Sequence, residues 1–240
     1  MSFVHLHTHS EYSLLDGANR LDDLIDRALE FDQPAVALTD HGNLHGAWHF
    51  QKKARKKGIR PILGCELYVA YGDHDSKETP PDAPGESAHL VVLAANRTGW
   101  DNLVKLSSIG YTDGFYRKPR VDHDLLEEYS DGLIVTSACL SGEVASYLQQ
   151  DRYGKAKETA EWYASTFEDR YWLEVQDHGI PGQEKVNRGV FELADDVGLG
   201  VVVTNDAHYL RREDADVHDT LLCIGTGAEK EDEDRLQFHG

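Results

Sequence analysis

Hydrophobic residues along the chain form two kinds of pattern that alternate from one end to the other. Short continuous runs rich in Val, Ile, Leu and Ala are typical of buried strands, and longer stretches with apolar residues every three or four positions are typical of amphipathic helices. Strands are predicted over residues 3–6, 35–39, 59–69 (one or two strands), 90–93, 132–136, 171–175 and 201–204. Helices are predicted over residues 21–31, 44–57, 98–109, 143–149, 155–167, 183–197 and 214–224.

The order of these elements predicts an α/β fold. Asn19 is the expected N-cap of the first helix, and Gly58 and Gly198 are the expected ends of two later helices. Continuous apolar strands joined through helices indicate a parallel sheet covered on its faces. About seven such units in 240 residues favour a distorted (β/α)7 barrel, short of the usual eight strands. An open doubly wound sheet is the alternative, although the glycine-rich phosphate turn after the first strand is missing.

Two segments interrupt the alternation. Residues 72–87 hold three prolines and two glycines among many charges and are predicted to form a loop. Residues 228–240 are strongly acidic and are predicted to form either a solvated tail or the truncated start of a following region. The barrel domain is therefore expected to span residues 1–227.

Composition narrows the class of protein. The chain has 24 basic and 43 acidic residues and a net charge of −19, which argues against a simple basic DNA-binding module, while its 40% hydrophobic content excludes a disordered chain. No apolar run approaches the ~20 residues of a membrane helix, and the N-terminus shows no secretory leader. Three scattered cysteines do not form a disulfide framework, so a cytoplasmic location is expected.

The 13 histidines include several at the predicted strand ends. His5, His7 and His9 alternate along the first strand, which directs all three to one face, the interior of a barrel. Other polar residues follow the carboxyl ends of later strands, where barrels place their active sites. They are Asp16, Asp40, His41, Glu66, Cys139, Asp206 and His208. His89 precedes its strand and fits only if residues 67–71 and 90–93 form a hairpin.

The candidate ligands are His7, His9, Asp16, His41, Glu66, His89, Cys139, Asp206 and His208. Imidazole and carboxylate ligands suit zinc, manganese or iron, and the thiol favours zinc. This set is too large for one ion and indicates two or three, with Glu66 as a natural bridge. Clustered divalent metals suit phosphoryl chemistry, for which Glu66 and Asp40 are the candidate catalytic residues, with Asp40 expected to orient a metal ligand. Taken singly, the histidine run is compatible with a polar strand, Asp40-His41-Gly42 is more typical of a turn, and Cys139 is more typical of a small buried residue. Their joint placement at strand ends favours a metal site.

The other histidines are given no catalytic role. His5 is expected to lie deeper in the barrel and support a ligand. The remaining seven are expected at the surface or in packing contacts: His45, His49, His74, His123, His178, His218 and His239. Tyr116, Arg117, Lys118 and Arg120 lie in a predicted loop and are candidates for phosphate and base contacts.

Several long motifs resemble those of the polymerase-and-histidinol-phosphatase (PHP) family, and within it the PHP domain of bacterial DNA polymerase III α subunits. They run over nearly the whole chain: His5-Leu6-His7-Thr8-His9-Ser10-Glu11-Tyr12-Ser13-Leu14-Leu15-Asp16-Gly17, Ala37-Leu38-Thr39-Asp40-His41-Gly42-Asn43, Ile62-Leu63-Gly64-Cys65-Glu66, His89-Leu90, Gly114-Phe115-Tyr116-Arg117-Lys118-Pro119-Arg120, Thr136-Ser137-Ala138-Cys139-Leu140-Ser141-Gly142 and Thr204-Asn205-Asp206-Ala207-His208-Tyr209.

The resemblance implies a distorted (β/α)7 barrel with three divalent metal ions (zinc, manganese or iron) and 3′–5′ proofreading exonuclease activity. It implies three ligand sets: His7, His9, Glu66 and Asp206; Glu66, His89 and Cys139; and Asp16, His41 and His208. The implied partners are a DNA 3′ end, bound weakly in isolation, the remaining domains of the polymerase α subunit and other replisome subunits, with no membrane. Two alternatives stay open: a stand-alone phosphoesterase acting on small phosphate monoesters, and a catalytically silent structural module of the polymerase.

Overall fold

The computed structural model describes residues 3–238, so His239 lies outside the described residues. The strands are β1 (Ala35–Leu38), β2 (Arg60–Ala70), β3 (Ser87–Ala94), β4 (Phe115–Tyr116), β5 (Lys118–Val121), β6 (Leu133–Thr136), β7 (Tyr171–Val175) and β8 (Val201–Val203). The helices are α1 (Leu21–Glu30), α2 (Ala47–Lys57), α3 (Arg97–Thr112), α4 (His123–Glu128), α5 (Glu143–Gln149), α6 (Tyr153–Phe167), α7 (Gln183–Val197) and α8 (Ala215–Thr226).

The sheet curls into a distorted barrel. Strands β1, β2, β3, β6, β7 and β8 lie side by side in that order. The extended segment 5–9 lies between the two edge strands: the Ala37 amide donates to His5 O over 2.9 Å on one side, and His9 donates to Ala207 O over 3.0 Å on the other. These bonds close a ring of seven chain segments, so the barrel prediction is confirmed and the open doubly wound sheet is wrong.

Strand β3 runs against its neighbours. It is antiparallel to both β2 and β6, so the expectation of an all-parallel sheet is wrong at this position. Loop 71–86 joins β2 to β3 and makes the two strands a hairpin, in which His89 pairs with Tyr68 near the end of β2. Because β3 is reversed, its first residues lie at the same end of the barrel as the last residues of the parallel strands. The hairpin considered for His89 is thus present.

Other elements differ from the predicted pattern at their boundaries. No regular strand forms over residues 3–6, because that segment joins the ring through single bonds rather than a continuous ladder. Residues 115–121, predicted as a loop, form the β4–β5 hairpin, and β5 also pairs with the end of β2. Helix α4 was missed; its signal is the N-cap Asp122, whose carboxylate accepts a hydrogen bond from Leu125 N over 3.0 Å.

The barrel interior changes from apolar to charged along its axis. Alternation along a strand places every second side chain inside, and in β3 the residues at positions 89, 91 and 93 share one face. Val91 and Leu93 form a small buried cluster with Ala37 at one end of the barrel. Toward the other end the same inner face carries His89 in β3 and Glu66 in β2. Apolar side chains fill one end of the barrel, and the polar side chains at the other end are available for binding or catalysis.

Two larger apolar cores lie outside the barrel. One packs α3, α5, α6 and α7 against the outer face of the sheet, and Leu106, Tyr163 and Phe167 are among its buried residues. The second packs α1 and α2 over β1 through Ile25 and Phe50. None of the described helices combines the length and the apolar character that a membrane span requires.

Arg120 anchors loop 71–86 to this scaffold. Its side chain is buried, with 5% of the residue exposed. The guanidinium donates to His74 O over 2.9 Å, to Ser76 O over 2.7 Å and to Gly114 O over 3.2 Å. This placement corrects the expectation that Arg120 contacts substrate, since its donors are used by backbone carbonyls.

Replacing Arg120 by alanine is expected to reduce the free energy of unfolding by about 2 kcal/mol, because buried carbonyls lose their donor. Arg97→Ala is the control, since the Arg97 side chain is 84% exposed and bonds only to Asp101; it should change stability by less than ~0.5 kcal/mol. Urea unfolding measures both. Equal stability losses in the two variants would contradict the anchoring role.

Candidate metal centre

The predicted ligands converge at the polar end of the barrel. They come from every side of the ring: His7, His9 and Asp16 from the N-terminal segment, His41 after β1, Glu66 from β2, His89 from β3, Cys139 after β6, and Asp206 and His208 after β8. Parallel strands bring their carboxyl ends to one edge, and the reversed β3 brings its amino end to the same edge.

Glu66 lies at the centre of the cluster and is fully buried. Its Oε2 lies 2.5 Å from His7 Nε2 and 3.2 Å from His9 Nε2. Its Oε1 lies 3.3 Å from His41 Nδ1 and is also in contact with His89 Nδ1. A single carboxylate therefore faces four imidazoles, which is the arrangement that a bridging ligand needs.

The donor atoms form three overlapping groups, each with its members within 4.8 Å of one another. The groups are His7, His9, Glu66 and Asp206; His41, Glu66 and His89; and His9, His41 and His208. Two further expected ligands adjoin them: Cys139 Sγ lies 3.7 Å from His89 Nδ1, and Asp16 Oδ2 lies 3.2 Å from His41 Nε2.

The imidazoles of His7 and His208 are oriented from outside the cluster. Nδ1 of His7 donates to Glu174 Oε1 over 2.8 Å, and Nδ1 of His208 donates to the Asp206 carbonyl over 2.8 Å. A proton on Nδ1 leaves the lone pair on Nε2, which in both residues points toward the other donors. Such outer bonds fix the tautomer and ring orientation of metal-binding histidines.

Asp40 supports the cluster from behind rather than facing the open site. Its carboxylate accepts hydrogen bonds from Ser10 N over 2.7 Å and from Ser13 Oγ over 2.8 Å. Because the Ser13 hydroxyl donates to Asp40, its oxygen accepts from His9 Nδ1 over 3.1 Å. The geometry thus favours Asp40 as a residue that positions His9 through Ser13.

Glu174 is a functional residue that the sequence interpretation missed. It is buried in β7, where Thr136, Thr204 and Gln176 donate to its carboxylate alongside His7. The available signal was a single carboxylate within the apolar run of residues 171–175, at an inward-facing position. His5 was expected in such a supporting role, but it lies half-buried against the ring of Phe3.

The other histidines divide between packing and the site. His123 pairs with Glu143 over 2.9 Å and His74 with Asp122 over 2.5 Å, both as local structure. His218 is buried, and its Nε2 donates to the Asp16 carbonyl over 2.7 Å, so it holds the backbone of a predicted ligand. His218 therefore has the packing role expected for it, and the backbone that it contacts is that of a candidate metal ligand.

Burial and neighbouring charged groups both shift the pKa values of the cluster residues. Burial alone would raise the pKa of Glu66, but His89 and His41 hold it well below its usual value. Burial alone would lower the pKa of His41, but Glu66 and Asp16 raise it to about 10. Burial and the neighbouring His9 lower the pKa of His208 to about 4. The carboxylates thus require positive charge, which protons or metal ions can supply.

Several buried ligand atoms make no well-oriented hydrogen bond among the described residues, although most of them lie close to one another. They are His9 Nε2, Asp16 Oδ1, His41 Nδ1, Glu66 Oε1 and Asp206 Oδ1. Leaving such atoms without a good hydrogen bond costs about 1–3 kcal/mol each, and four of the five residues belong to the groups of converging ligand atoms. Imidazole, carboxylate and thiolate atoms are the ligands that zinc and related divalent ions prefer. The residues present therefore fit a group of divalent cations.

Two of the six described non-glycine residues with a positive φ lie at the same edge. Ala138, directly before Cys139, and Asp206 both adopt left-handed backbone conformations, with φ of 60° and 44°. Non-glycine residues in this region are uncommon, and such strain collects at functional sites. Gly42 supplies the same conformation after His41 at φ 62°, and its amide donates to Glu66 O over 2.8 Å.

A cavity of about 830 Å³ opens above the cluster. Asp16, His41, His89, Cys139, Asp206 and His208 line its floor. Arg117 and Lys118 line one wall, whereas Tyr116 and Arg120 are absent from the lining. Two of the four residues expected to contact substrate are therefore in a position to do so. The cavity also reaches Leu236, Gln237 and Phe238, so the segment after residue 227 folds back over the site rather than leaving it.

Comparison with known proteins gives a family for this arrangement. The PHP domain family matches residues 5–178, well over half of the chain. The chain belongs to the PHP domain family. This PHP domain is 48% identical over 239 residues to the DNA polymerase III subunit alpha of Treponema pallidum and 46% identical over 236 residues to that of Borreliella burgdorferi. These alignments cover 99% and 98% of the chain but about 20% of each relative.

Solved structures share the fold of this PHP domain at low sequence identity. An amidohydrolase from Chromobacterium violaceum superposes with a TM-score of 0.52 at 14% identity, covering 85% of this chain and 87% of that one. A protein assigned as a metal-dependent phosphoesterase from Bifidobacterium adolescentis gives 0.51 at 14% identity, covering 87% and 89%. The distorted barrel is thus a known architecture.

Zinc or manganese added to chelator-treated protein is expected to stabilise this PHP domain against heat. An ion at a hundred times its dissociation constant contributes about 2.7 kcal/mol per site. Calcium is the matched control, because it prefers all-oxygen sites and should shift the melting temperature much less. Thermal denaturation measures the shift; an equal response to calcium and zinc, or none to either transition metal, would contradict the site.

Glu174→Gln is expected to weaken zinc binding about 10- to 100-fold, because it removes the charged acceptor that orients His7. Competition with a chromophoric chelator measures the affinity, and circular dichroism checks the fold. Glu192→Gln on the exposed face of α7 is the matched control and should bind zinc like the wild type. Unchanged affinity in a folded Glu174→Gln protein would exclude the orienting role.

Proposed function

We propose that this chain is the PHP domain of a DNA polymerase III α subunit and that its centre hydrolyses phosphodiester bonds as a metal-dependent 3′–5′ proofreading exonuclease. The observation that carries the proposal is the convergence of the nine predicted ligands at one end of the barrel, where six of them line an open cavity and several buried ligand atoms make no well-oriented hydrogen bond among the described residues. The identity of 46–48% to DNA polymerase III α subunits supports the assignment of the parent protein.

Three divalent ions, zinc, manganese or iron, are the proposed cofactors. His7, His9, Glu66 and Asp206 would hold one, Glu66, His89 and Cys139 a second, and Asp16, His41 and His208 a third. Divalent ions at such a site supply a nucleophile at neutral pH and stabilise charge on the attacking and leaving oxygens. With Glu66 in contact with four imidazoles, its carboxylate is the natural shared ligand.

The protein residues contribute orientation and charge. Glu174 fixes His7, and Asp40 fixes His9 through Ser13, so two ligands are held before any substrate arrives. Ligands held in advance reduce the reorganisation that reaction would otherwise require. Lys118 and Arg117 on the cavity wall would bind phosphate oxygens. They would offset the repulsion of phosphates that the net charge of −19 causes over the rest of the chain.

The cavity favours a nucleic-acid end over a small phosphate ester. Its volume of about 830 Å³ is near the upper end of ordinary ligand sites, which hold molecules far larger than one phosphate group. A terminal nucleotide with its neighbour fits this size class better. The chain spans about a fifth of its relatives, so the remaining α-subunit domains and other replisome subunits are proposed partners that would hold the DNA duplex.

Purified protein is expected to contain bound divalent metal and to shorten a single-stranded oligonucleotide carrying a label at its 5′ end, one nucleotide at a time from the 3′ end. A chelator should abolish this activity, and zinc or manganese should restore it. Elemental analysis and gel electrophoresis are the measurements. Less than one metal ion per chain, with no activity after metal addition, would end the catalytic proposal in favour of a structural module.

Asp206→Asn is expected to reduce this activity by at least 100-fold, because the amide keeps the shape and tolerates the left-handed backbone but removes the charge. Asp195→Asn on α7 is the control for a surface carboxylate and should retain full activity. A chromogenic phosphate monoester is assayed in parallel. Equal or faster turnover of the monoester by the wild type would favour the stand-alone phosphoesterase instead.

A further inference from the structure

One wall of the cavity carries two exposed aromatic rings. Phe115 in β4 is 55% exposed and Tyr111 in α3 is 43% exposed. Their ring centroids lie 6.1 Å apart with planes inclined by 22°, so the two rings form a stacked pair. Both line the same cavity as the metal-ligand candidates. Rings displayed in this way offer flat apolar area to a planar ligand.

Two cationic side chains line the same cavity as this ring pair. Lys118 Nζ lies 4.2 Å above the ring centroid of Tyr68. The Tyr68 ring in turn lies 6.1 Å from the ring of His41 and 5.2 Å from that of His89. Among the described lining residues, Arg117 and Lys118 are the cavity's arginine and lysine side chains. The cavity therefore combines the ligand cluster, two cationic side chains and the two aromatic rings, and Lys118 approaches the cluster through Tyr68.

Arg117 occupies a strained position at the tip of the β4–β5 hairpin. Its φ is 60°, a left-handed conformation that costs a non-glycine residue stability. Glycine would adopt this positive φ without the steric cost, so the stability of the hairpin does not explain an arginine at this position. The side chain is 66% exposed and its guanidinium contacts Glu86 over 2.6 Å, an exposed pair that a stronger anion can replace.

We propose that Phe115 and Tyr111 form a stacking site for the unpaired base at the end of a single-stranded nucleic acid, while Arg117 and Lys118 bind its phosphates. The inference rests on the proposed phosphodiesterase function and names the substrate class that the site prefers. Every base has a flat π face, so such a site is sequence-tolerant. Tyr116, placed 5.4 Å from the Arg117 guanidinium and outside the lining, supports this wall instead of stacking on substrate.

The test uses the 240-residue chain and a single-stranded oligonucleotide with 2-aminopurine as its 3′ base. A phosphorothioate final linkage slows hydrolysis, and zinc is present. Stacking quenches 2-aminopurine fluorescence. The wild type is expected to quench the signal on binding, and Phe115→Ala is expected to lose the quenching and to bind about 5- to 100-fold more weakly. Phe115→Trp should restore both.

Phe191→Ala is the matched control, since Phe191 lies on α7 away from the cavity lining with a similar 54% exposure. It should behave as the wild type. The inference is overturned if Phe115→Ala quenches and binds like the wild type, if Phe191→Ala loses as much, or if the wild type neither binds nor quenches.

Hydrolysis of an oligonucleotide with an abasic 3′-terminal residue separates this inference from the proposed function. Phe115→Ala should hydrolyse this substrate, which has no terminal base to stack, at the wild-type rate while losing activity on the oligonucleotide with a 3′ base. An equal loss on both substrates would overturn the stacking role. Stacking of the oligonucleotide by a wild type that hydrolyses neither substrate would uphold the base site and reject the phosphodiesterase function.

Discussion

The burial of Glu66 among imidazoles is the constraint on which the rest of this structure depends. Removing a carboxylate from water costs several kcal/mol unless opposite charge compensates for it. Its imidazole neighbours are His7, His9, His41 and His89, drawn from three parts of the chain. Such a contact set forms only if the barrel closes completely, so the charge of one side chain and the closure of the whole sheet require each other.

Closure in turn depends on two departures from a regular barrel. Segment 5–9 completes the ring with a few hydrogen bonds rather than a ladder, which leaves His7 and His9 free to point inward. Strand β3 runs in the opposite direction to its neighbours, so His89, near the start of this strand, lies at the polar end of the barrel. Both departures place donors where a regular strand would place backbone or apolar side chains. The irregular parts of this barrel are its functional parts.

The sequence predicted most of this arrangement for identifiable reasons. The apolar runs located β1, β2, β3, β6, β7 and β8, and polar residues at their ends marked the cluster, because both signals are local. Strand direction is not local, so β3 was assigned to a parallel sheet. Glu174 was missed because one carboxylate in an apolar strand has no spacing to identify it. Arg120 was assigned to substrate because the sequence does not show that loop 71–86 needs an anchor.

The most direct test of the central claim, that this edge of the barrel holds a cluster of divalent ions, is anomalous X-ray diffraction from crystals grown with zinc. Three peaks are expected, each among the donor atoms of one group around Glu66. Strong peaks confined to exposed histidines such as His49, with none beside Glu66, would contradict the claim.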